Sequence, residues 1–284
     1  RQMCIRDSDY GGSQCGFCTP GFIMSMFSMY KNKVTPTKKN IDEQLAGNLC
    51  RCTGYRSIME AAMISCGQGR QDMDSKREAK VISMLKSIPR RDIRILSKDQ
   101  EYIRPVGLES ATQLVDDNTD ALIVNGATDL GLKVTKNNEL LPKLIDVSDI
   151  PKLKEIKIDE DGVYYGAGLN LEDLRQHCQD YFPALYDMLS VFGSRQIRYM
   201  GTLGGNIASA SPIGDVPPVM MAYDAIYSLV SVEGERSVKA RDFVIGYRET
   251  ILKPNELIKG VFIPFLKKGR AVKSYFFYYI NFLY

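Results

Sequence analysis

The chain has 284 residues, of which 44% are hydrophobic and 25% are charged, and its formal net charge is +3. This length exceeds that of one typical domain, so two domains are expected. The small net charge argues against nucleic acid or a membrane surface as the partner, and no apolar run is long enough to span a bilayer. Seven cysteines without an export signal favour the cytoplasm, where thiols stay reduced and are free to bind metals.

A helical domain is predicted for residues 9–70. Apolar side chains recur at helical spacing after Pro20, after Asn40 and over residues 55–65, which indicates three helices. Residues 71–95 are polar and charged, and they are predicted to form a linker with room for one short helix.

Four cysteines stand at the turns between these predicted helices. Cys15 and Cys18 form a C-x2-C pair, and Cys50 and Cys52 form a C-x-C pair. Four thiolates in such close pairs make a soft site for a metal or a cluster. The residues alone leave the metal open, because Zn²⁺ is also chemically competent here, although this is not the usual spacing of a zinc ribbon.

Residues 96–274 alternate between strand and helix patterns, and they are predicted to form a mixed α/β domain. A helical stretch over 171–192 is expected to break at Pro183, and residues 275–284 form an apolar tail outside the pattern. Strands are expected at residues 121–125, 162–168, 225–232, 236–244 and 256–264.

The segment 200–215 is the second chemical signal in the chain. It contains four glycines, with Thr202, Asn206 and Ser211 between them. Glycines let a backbone approach a ligand closely and free its N–H groups to bind oxyanions, which suits a pyrophosphate. The segment matches neither G-x-G-x-x-G nor the P-loop pattern, so a Rossmann or Walker site is not supported. A purely structural turn remains the alternative reading.

These motifs resemble a known family. The strings GSQCGFCTPGFIMSMF and GNLCRCTGYRSI resemble the helical iron–sulfur domain of the molybdenum hydroxylases, and IVNGATDLG with FGSRQIRYMGTLGGNIASASPIGD resembles their flavin domain. The order of the two domains is most similar to that in the small subunit of bacterial xanthine dehydrogenases. The resemblance implies an α+β chain of two domains. An all-helical [2Fe–2S] bundle would precede a mixed α/β FAD-binding domain of the vanillyl-alcohol-oxidase and CO-dehydrogenase-flavoprotein type.

The resemblance also implies roles for individual residues. The four paired cysteines would bind the [2Fe–2S] cluster, and Gln14 would reach the pterin of a molybdenum cofactor on a partner chain. Phe192 would face the flavin ring, Asp215 would make a polar contact, and Ile258 a backbone or apolar contact. The remaining FAD contacts would be Ile123, Val124, Asn125, Gly126, Ala127, Thr128, Asp129, Leu130, Thr202, Leu203, Gly204, Gly205 and Asn206.

The function implied by the resemblance is electron transfer during the hydroxylation of a purine. Electrons would leave a molybdenum centre on a large partner subunit, pass through the cluster to FAD and reduce NAD⁺, in a hetero-oligomer. No side chain of this chain need act as a general acid or base. Two alternatives stay open: another molybdenum hydroxylase acting on aldehydes, N-heterocycles or carbon monoxide, and a zinc-stabilised interaction module without redox activity.

The chain departs from the family pattern at both ends. The cysteines of a plant-type ferredoxin domain are missing, and Cys4 cannot replace them. The C-terminal flavoprotein subdomain is also missing, and residues 1–8 and the apolar tail do not match the family. A fragment with non-native ends is therefore expected, and its exposed tail is expected to be aggregation-prone.

Overall fold

The computed structural model describes residues 9–67 and 75–275. The described chain divides into two compact units, and Cys4 and the apolar tail beyond Tyr275 lie outside it. The first unit, here called the helical unit, comprises Arg1–Pro89 and Gly193–Gln196. The second unit, here called the α/β unit, comprises Arg90–Phe192 and Ile197–Tyr284. This two-part architecture confirms the predicted α+β fold class.

Four helices form the described part of the helical unit: α1 is Thr19–Lys31, α2 is Lys38–Leu45, α3 is Arg56–Gly67 and α4 is Ser75–Lys86. Helix α2 begins before Asn40, because the Thr37 side chain caps it by accepting a hydrogen bond from the Asn40 amide at 3.2 Å. Helix α4 confirms the short helix expected in the linker segment. Helices α1 to α3 bury one shared core of Phe22, Met26, Met29, Ile41, Leu45, Ile58, Ala61, Ala62 and Cys66.

The α/β unit begins with a four-stranded sheet. Its strands are β1 (Ile93–Leu96), β2 (Glu101–Arg104), β3 (Leu122–Val124) and β4 (Lys143–Asp146). The strand order is β1-β2-β4-β3, with β4 parallel to both of its neighbours and β1 antiparallel to β2. Parallel pairing needs a crossover, which α5 (Leu108–Asp117) and α6 (Leu130–Asn137) supply.

A second, antiparallel sheet follows. Its strands are β5 (Ile156–Ile158), β6 (Gly162–Gly166), β7 (Ile226–Ser231), β8 (Gly234–Lys239) and β11 (Leu257–Pro264), and β9 (Val244–Gly246) pairs separately with β10 (Glu249–Thr250). The sheet order is β5-β6-β11-β7-β8. The helices after β6 are α7 (Leu171–Cys178), α8 (Pro183–Val191), α9 (Arg195–Met200), α10 (Leu203–Ala208) and α11 (Val216–Ala222). The expected break at Pro183 is confirmed, because Pro183 begins α8.

Backbone hydrogen bonds join the loop after β6 to the loop before α10. The Leu171 amide donates to the Gly201 carbonyl at 2.9 Å, and the Leu203 amide donates to the Leu169 carbonyl at 3.0 Å. These bonds hold two loops side by side at one edge of the α/β unit. Within the described residues, no helix combines the length and the apolar character that a membrane span requires.

Candidate functional site

The four motif cysteines lie at the starts of α1 and α3. All four are free thiols; Cys15 and Cys52 are exposed, and Cys18 and Cys50 are half-buried. Gly16 adopts a φ of 82°, in the left-handed region that favours glycine, so the C-x2-C segment can turn tightly.

The thiols pair across the two motifs. Burial and the neighbouring Cys50 thiol raise the pKa of Cys18, and the neighbouring Cys15 thiol raises the pKa of Cys52. Nowhere in residues 9–67 and 75–275 do three His, Cys, Asp or Glu side chains come close enough to share a single metal ion. Two pairs of thiols fit a group with two metal atoms, in which each metal takes two cysteines, as in a [2Fe–2S] cluster. The assignment of these cysteines as ligands stays a prediction.

Of the four motif cysteines, Cys50 has the surroundings that most stabilise a thiolate. The Thr53 hydroxyl donates to the Cys50 Sγ at 3.2 Å. This bond, with the backbone N–H groups of Thr53 and Cys52, lowers the pKa of Cys50 to about 7. A thiol with that pKa is ready to lose its proton to a metal, which is what cluster ligation requires. Sequence reasoning missed Thr53, although it directly follows the C-x-C motif.

Large apolar side chains surround the cysteine motifs on the protein surface. Phe17 is 94% exposed and Leu49 is 82% exposed. Gln14, the predicted pterin contact, and Arg51 are also exposed. Neighbouring exposed apolar side chains of this size mark a surface that a partner can cover.

The α/β unit holds a cavity of about 490 Å³ at the loop edge described above. This volume lies in the usual range for small-molecule sites, roughly 300–1,000 Å³. A smaller cavity of about 130 Å³ shares Ile123, Asn125, Thr202, Gly205 and Ala208 with it. The larger cavity is lined by Ile123, Asn125, Gly126, Ala127, Thr128, Asp129, Leu130, Leu171, Phe192, Ile197, Gly201, Thr202, Gly205, Asn206, Ala208, Ser209, Ser211, Ile213 and Gly214.

The predicted FAD contacts divide between these cavities. Gly204 and Ile258 line the smaller one. Val124, Leu203 and Asp215 line neither: Val124 lies within β3, Leu203 is buried in the core, and Asp215 stands exposed before α11. The other predicted contacts line the larger cavity: Ile123, Asn125, Gly126, Ala127, Thr128, Asp129, Leu130, Phe192, Thr202, Gly205 and Asn206.

The turn between β3 and α6 offers backbone donors to the larger cavity. In the part of the chain that the structure describes, the N–H groups of Gly126, Ala127 and Thr128 donate to no other protein group. Ala127 has a φ of 57°, a left-handed conformation that turns successive N–H groups toward one point. Such a turn binds anionic oxygens, so it suits a pyrophosphate.

Gly126 and Asn206 support the same interpretation. A Cβ on Gly126 would lie 1.6 Å from the Met200 carbonyl oxygen, so only glycine lets these two loops approach so closely. Asn206 Oδ1 is buried and has no hydrogen-bond partner among the described residues. A buried polar atom without a partner is costly unless a ligand satisfies it, which fits a cofactor in the cavity.

A buried ion network supports one wall of this cavity. Glu172 and Arg198 are each 1% exposed at their side chains, and Arg198 Nε donates to Glu172 Oε2 at 2.6 Å. Arg198 Nη1 also donates to the Phe192 carbonyl at 3.0 Å, and Arg175 donates to the same carboxylate at 2.6 Å. Burial alone would raise the pKa of Glu172, but the two guanidinium groups lower it to about 2. The network thus fixes the backbone of Phe192, whose side chain lines the cavity.

Comparisons with known proteins agree with this geometry. Residues 97–266 match the family described as the FAD binding domain in molybdopterin dehydrogenase. The chain belongs to the molybdopterin dehydrogenase family. Residues 6–63 match a family described as a [2Fe-2S] binding domain. The predicted [2Fe–2S] and FAD cofactors of this chain are therefore confirmed.

Its similar curated relatives are long oxidoreductases. The chain is 32% identical to a xanthine dehydrogenase of Drosophila pseudoobscura pseudoobscura, over 88% of this chain and 23% of the relative. It is 31% identical to a xanthine dehydrogenase/oxidase of Gallus gallus, over 93% of this chain and 25% of the relative. The chain therefore spans about a quarter of the length of these relatives.

Solved structures place the fold in the same family. A carbon monoxide dehydrogenase from Hydrogenophaga pseudoflava superposes with a TM-score of 0.58 at 28% identity, covering 62% of each chain. A quinoline 2-oxidoreductase from Pseudomonas putida 86 superposes with a TM-score of 0.56 at 28% identity, covering 58% of this chain and 59% of the other. These matches support a molybdenum hydroxylase fold, as the sequence motifs indicated.

Proposed function

We propose that this chain is the electron-transfer part of a xanthine dehydrogenase that acts in purine catabolism. The observation that carries the proposal is the combination, on one chain, of four free thiols in two pairs with a cavity that presents unpaired backbone donors. When bound, the cluster would supply one-electron transfer and FAD would supply the change from single electrons to hydride. We assign the cluster domain to residues 9–70, a linker to 71–95 and the FAD domain to 96–274.

In this proposal the four motif cysteines would hold the cluster through their thiolates, with Cys15 beside Cys52 and Cys18 beside Cys50. The support is that the thiols influence one another across the motifs, since Cys50 contributes to the raised pKa of Cys18 and Cys15 to that of Cys52. Because Cys15 and Cys52 are exposed, one pair faces the surface at which electrons would enter.

The protein's contribution at the FAD cavity is to bind and orient. The N–H groups of Gly126, Ala127 and Thr128 would bind the pyrophosphate, and Asn206 would complete a polar contact through its unpartnered Oδ1. The Phe192 side chain would pack against one face of the flavin ring and exclude water from that face.

The proposed partner is a large subunit that carries the molybdenum cofactor. Phe17 and Leu49, the exposed apolar side chains beside the cysteines, are where that subunit would pack, and Gln14 would reach its pterin. We further propose NAD⁺ as the electron acceptor, because one similar relative is named a xanthine dehydrogenase and the other a xanthine dehydrogenase/oxidase. A cytoplasmic location is proposed because reduced thiols are required for ligation.

The decisive experiment compares two cysteine variants of the purified holoprotein. Cys50→Ser is expected to abolish the electron paramagnetic resonance signal of the dithionite-reduced cluster while the flavin absorbance remains. Cys66→Ala is the control, because Cys66 is a buried thiol of the same unit outside the two motifs. Equal loss of cluster and flavin in Cys50→Ser, or loss of the signal in Cys66→Ala, would contradict the assignment.

A molybdenum hydroxylase of other specificity is the second candidate. The observation that favours it is the structural similarity to a carbon monoxide dehydrogenase and a quinoline oxidoreductase. Copurification of the partner subunit, followed by assays with xanthine, quinoline and carbon monoxide, separates these functions. Elemental analysis tests the zinc-stabilised module, since two iron atoms per chain and no zinc are expected here.

A further inference from the structure

The Thr53 hydroxyl has a fixed direction. Its oxygen accepts a hydrogen bond from the Tyr55 amide at 3.2 Å and lies 3.2 Å from Cys50 Sγ. A backbone N–H can only donate, so the hydroxyl proton is left for the sulfur. A thiolate sulfur can only accept, so the bond must run from Thr53 to Cys50.

The loop after the C-x-C motif is closed by a second bond. The Tyr55 hydroxyl accepts a hydrogen bond from the Cys50 amide at 3.0 Å. Gly54 and Tyr55 have φ angles of 67° and 70°, and the left-handed region is rare for a residue such as tyrosine. Such a conformation persists only where surrounding contacts over-determine it. Thr53 is therefore held against the sulfur by bonds on both sides of a constrained turn.

This contact distinguishes Cys50 from the other motif cysteines. Within the described residues, Cys50 is the one motif cysteine whose sulfur accepts a hydrogen bond from a side-chain hydroxyl.

We propose that Thr53 raises the reduction potential of the cluster through its hydrogen bond to Cys50. The proposal rests on the proposed function, in which Cys50 is a ligand. Reduction by dithionite adds one electron to the cluster and moves no proton. The added negative charge is shared by the ligand sulfurs, so the hydroxyl bond becomes stronger in the reduced state. Hydrogen bonds to the sulfurs are one of the factors that set the potential of such clusters.

The test is a redox titration of the holoprotein. The electron paramagnetic resonance signal of the cluster measures the fraction that is reduced at each potential. Thr53→Val keeps the shape of the side chain and removes the hydroxyl. We expect the ratio of reduced to oxidised cluster at a fixed potential to fall about tenfold, which is a downward shift of about 59 mV for one electron. Thr53→Ser, which keeps the hydroxyl, is expected to titrate like the wild type. Thr35→Val makes the same chemical change at an exposed threonine and is expected to shift nothing.

Thr53→Ala provides a second variant without the hydroxyl, in case valine prevents cluster assembly. A downward shift in either variant, with the serine variant unchanged, supports the proposal. Wild-type potentials in both hydroxyl-free variants, at equal iron content and helical circular dichroism, would overturn it. An equal shift in Thr53→Ser would also overturn it, because any change at this position would then suffice. Absence of a cluster signal in the wild type is a different result, which would overturn the proposed function itself.

Discussion

Gly126 and Gly131 lie on either side of the start of α6, and a methyl group has opposite consequences at these two glycines. At Gly126 the Cβ would lie 1.6 Å from the Met200 carbonyl oxygen, whereas at Gly131 it would meet nothing within 4 Å. Gly126→Ala is therefore expected to push the cavity loops apart, to abolish FAD binding and to lower the free energy of unfolding by about 3 kcal/mol.

The matched control is Gly131→Ala, which adds the same methyl group inside a helix. It is expected to retain FAD and to raise the free energy of unfolding by up to about 1 kcal/mol, since alanine favours helix and restricts the unfolded chain. FAD titration and urea unfolding measure both effects. Normal FAD affinity in Gly126→Ala would show that the two loops do not need to approach so closely.

Glu172 is the residue for which the structure predicts a specific pH dependence. Its pKa is about 2 in the folded chain, against an ordinary value of 4.5. A group whose pKa is lowered by folding stabilises the fold fully above its unfolded pKa and loses that contribution as pH falls through its folded pKa. Glu172→Gln removes the buried carboxylate that pairs with Arg198 and is expected to cost about 3 kcal/mol at pH 7.

The stability difference between wild type and Glu172→Gln is therefore expected to stay constant above about pH 5 and to shrink as the pH falls from 4.5 toward 2. Urea unfolding of the holoprotein across this pH range measures the stability difference. The release of flavin from the α/β unit is the signal that monitors unfolding. Glu160→Gln changes an exposed glutamate of the same unit and is expected to leave stability unchanged at every pH. A difference that does not vary with pH would mean that Glu172 titrates normally.

At the scale of single elements, α7 depends on its capping residue. The Asn170 side chain accepts a hydrogen bond from the Asp173 amide at 2.8 Å, and Asn170 also forms a β-bridge with Thr202 at the cavity. Asn170→Ala is expected to lower the free energy of unfolding by about 1 kcal/mol, while Asn170→Ser, which keeps a capping oxygen, is expected to lose less than half of that. Chemical unfolding of both variants measures the difference, and equal losses would assign the effect to the Asn170 Nδ2 group, which donates to Asp173 Oδ2 at 2.8 Å.

The elements with strong periodicity were predictable from the sequence. Strand β11 has the alternating pattern that indicated a strand ending at Pro264, and the helical stretch was rightly expected to break at Pro183. Helix α2 begins at Lys38, earlier than the helix predicted after Asn40, because the Thr37 side chain caps it. A cap is a local hydrogen bond that competes with several neighbouring candidates, so composition does not select one.

The candidate site was predictable only where a motif lies in one continuous segment. The glycines of the cavity and the cysteine pairs each lie within short strings. The Arg198–Glu172 ion pair joins residues that are 26 positions apart in the sequence. Neither residue lies in a sequence pattern that predicts a buried side chain. The cross-motif pairing of Cys18 with Cys50 likewise depends on how α1 and α3 pack. Such contacts follow from the folded topology, and no local pattern predicts them.

At the scale of the whole molecule, each unit has its own core. One buried cluster contains only residues between Phe22 and Cys66, and the largest one contains only residues between Val163 and Ile263. Cores that share no residue predict that the two units unfold in separate transitions, which single cavity-creating substitutions can shift one at a time.

Ile58 and Leu185 are both fully buried, and truncation to alanine at such positions costs about 2–5 kcal/mol. Ile58→Ala is expected to lower the temperature at which the holoprotein loses its cluster absorbance by about 10 °C or more, because a small unit is sensitive to such losses. Flavin release should then stay within about 2 °C of the wild type, and Leu185→Ala should reverse the pattern. Both signals followed in one heating experiment provide the test. If either variant shifts both transitions together, the units unfold as one cooperative body, and the loss of flavin in a cysteine variant could no longer be attributed to its own site.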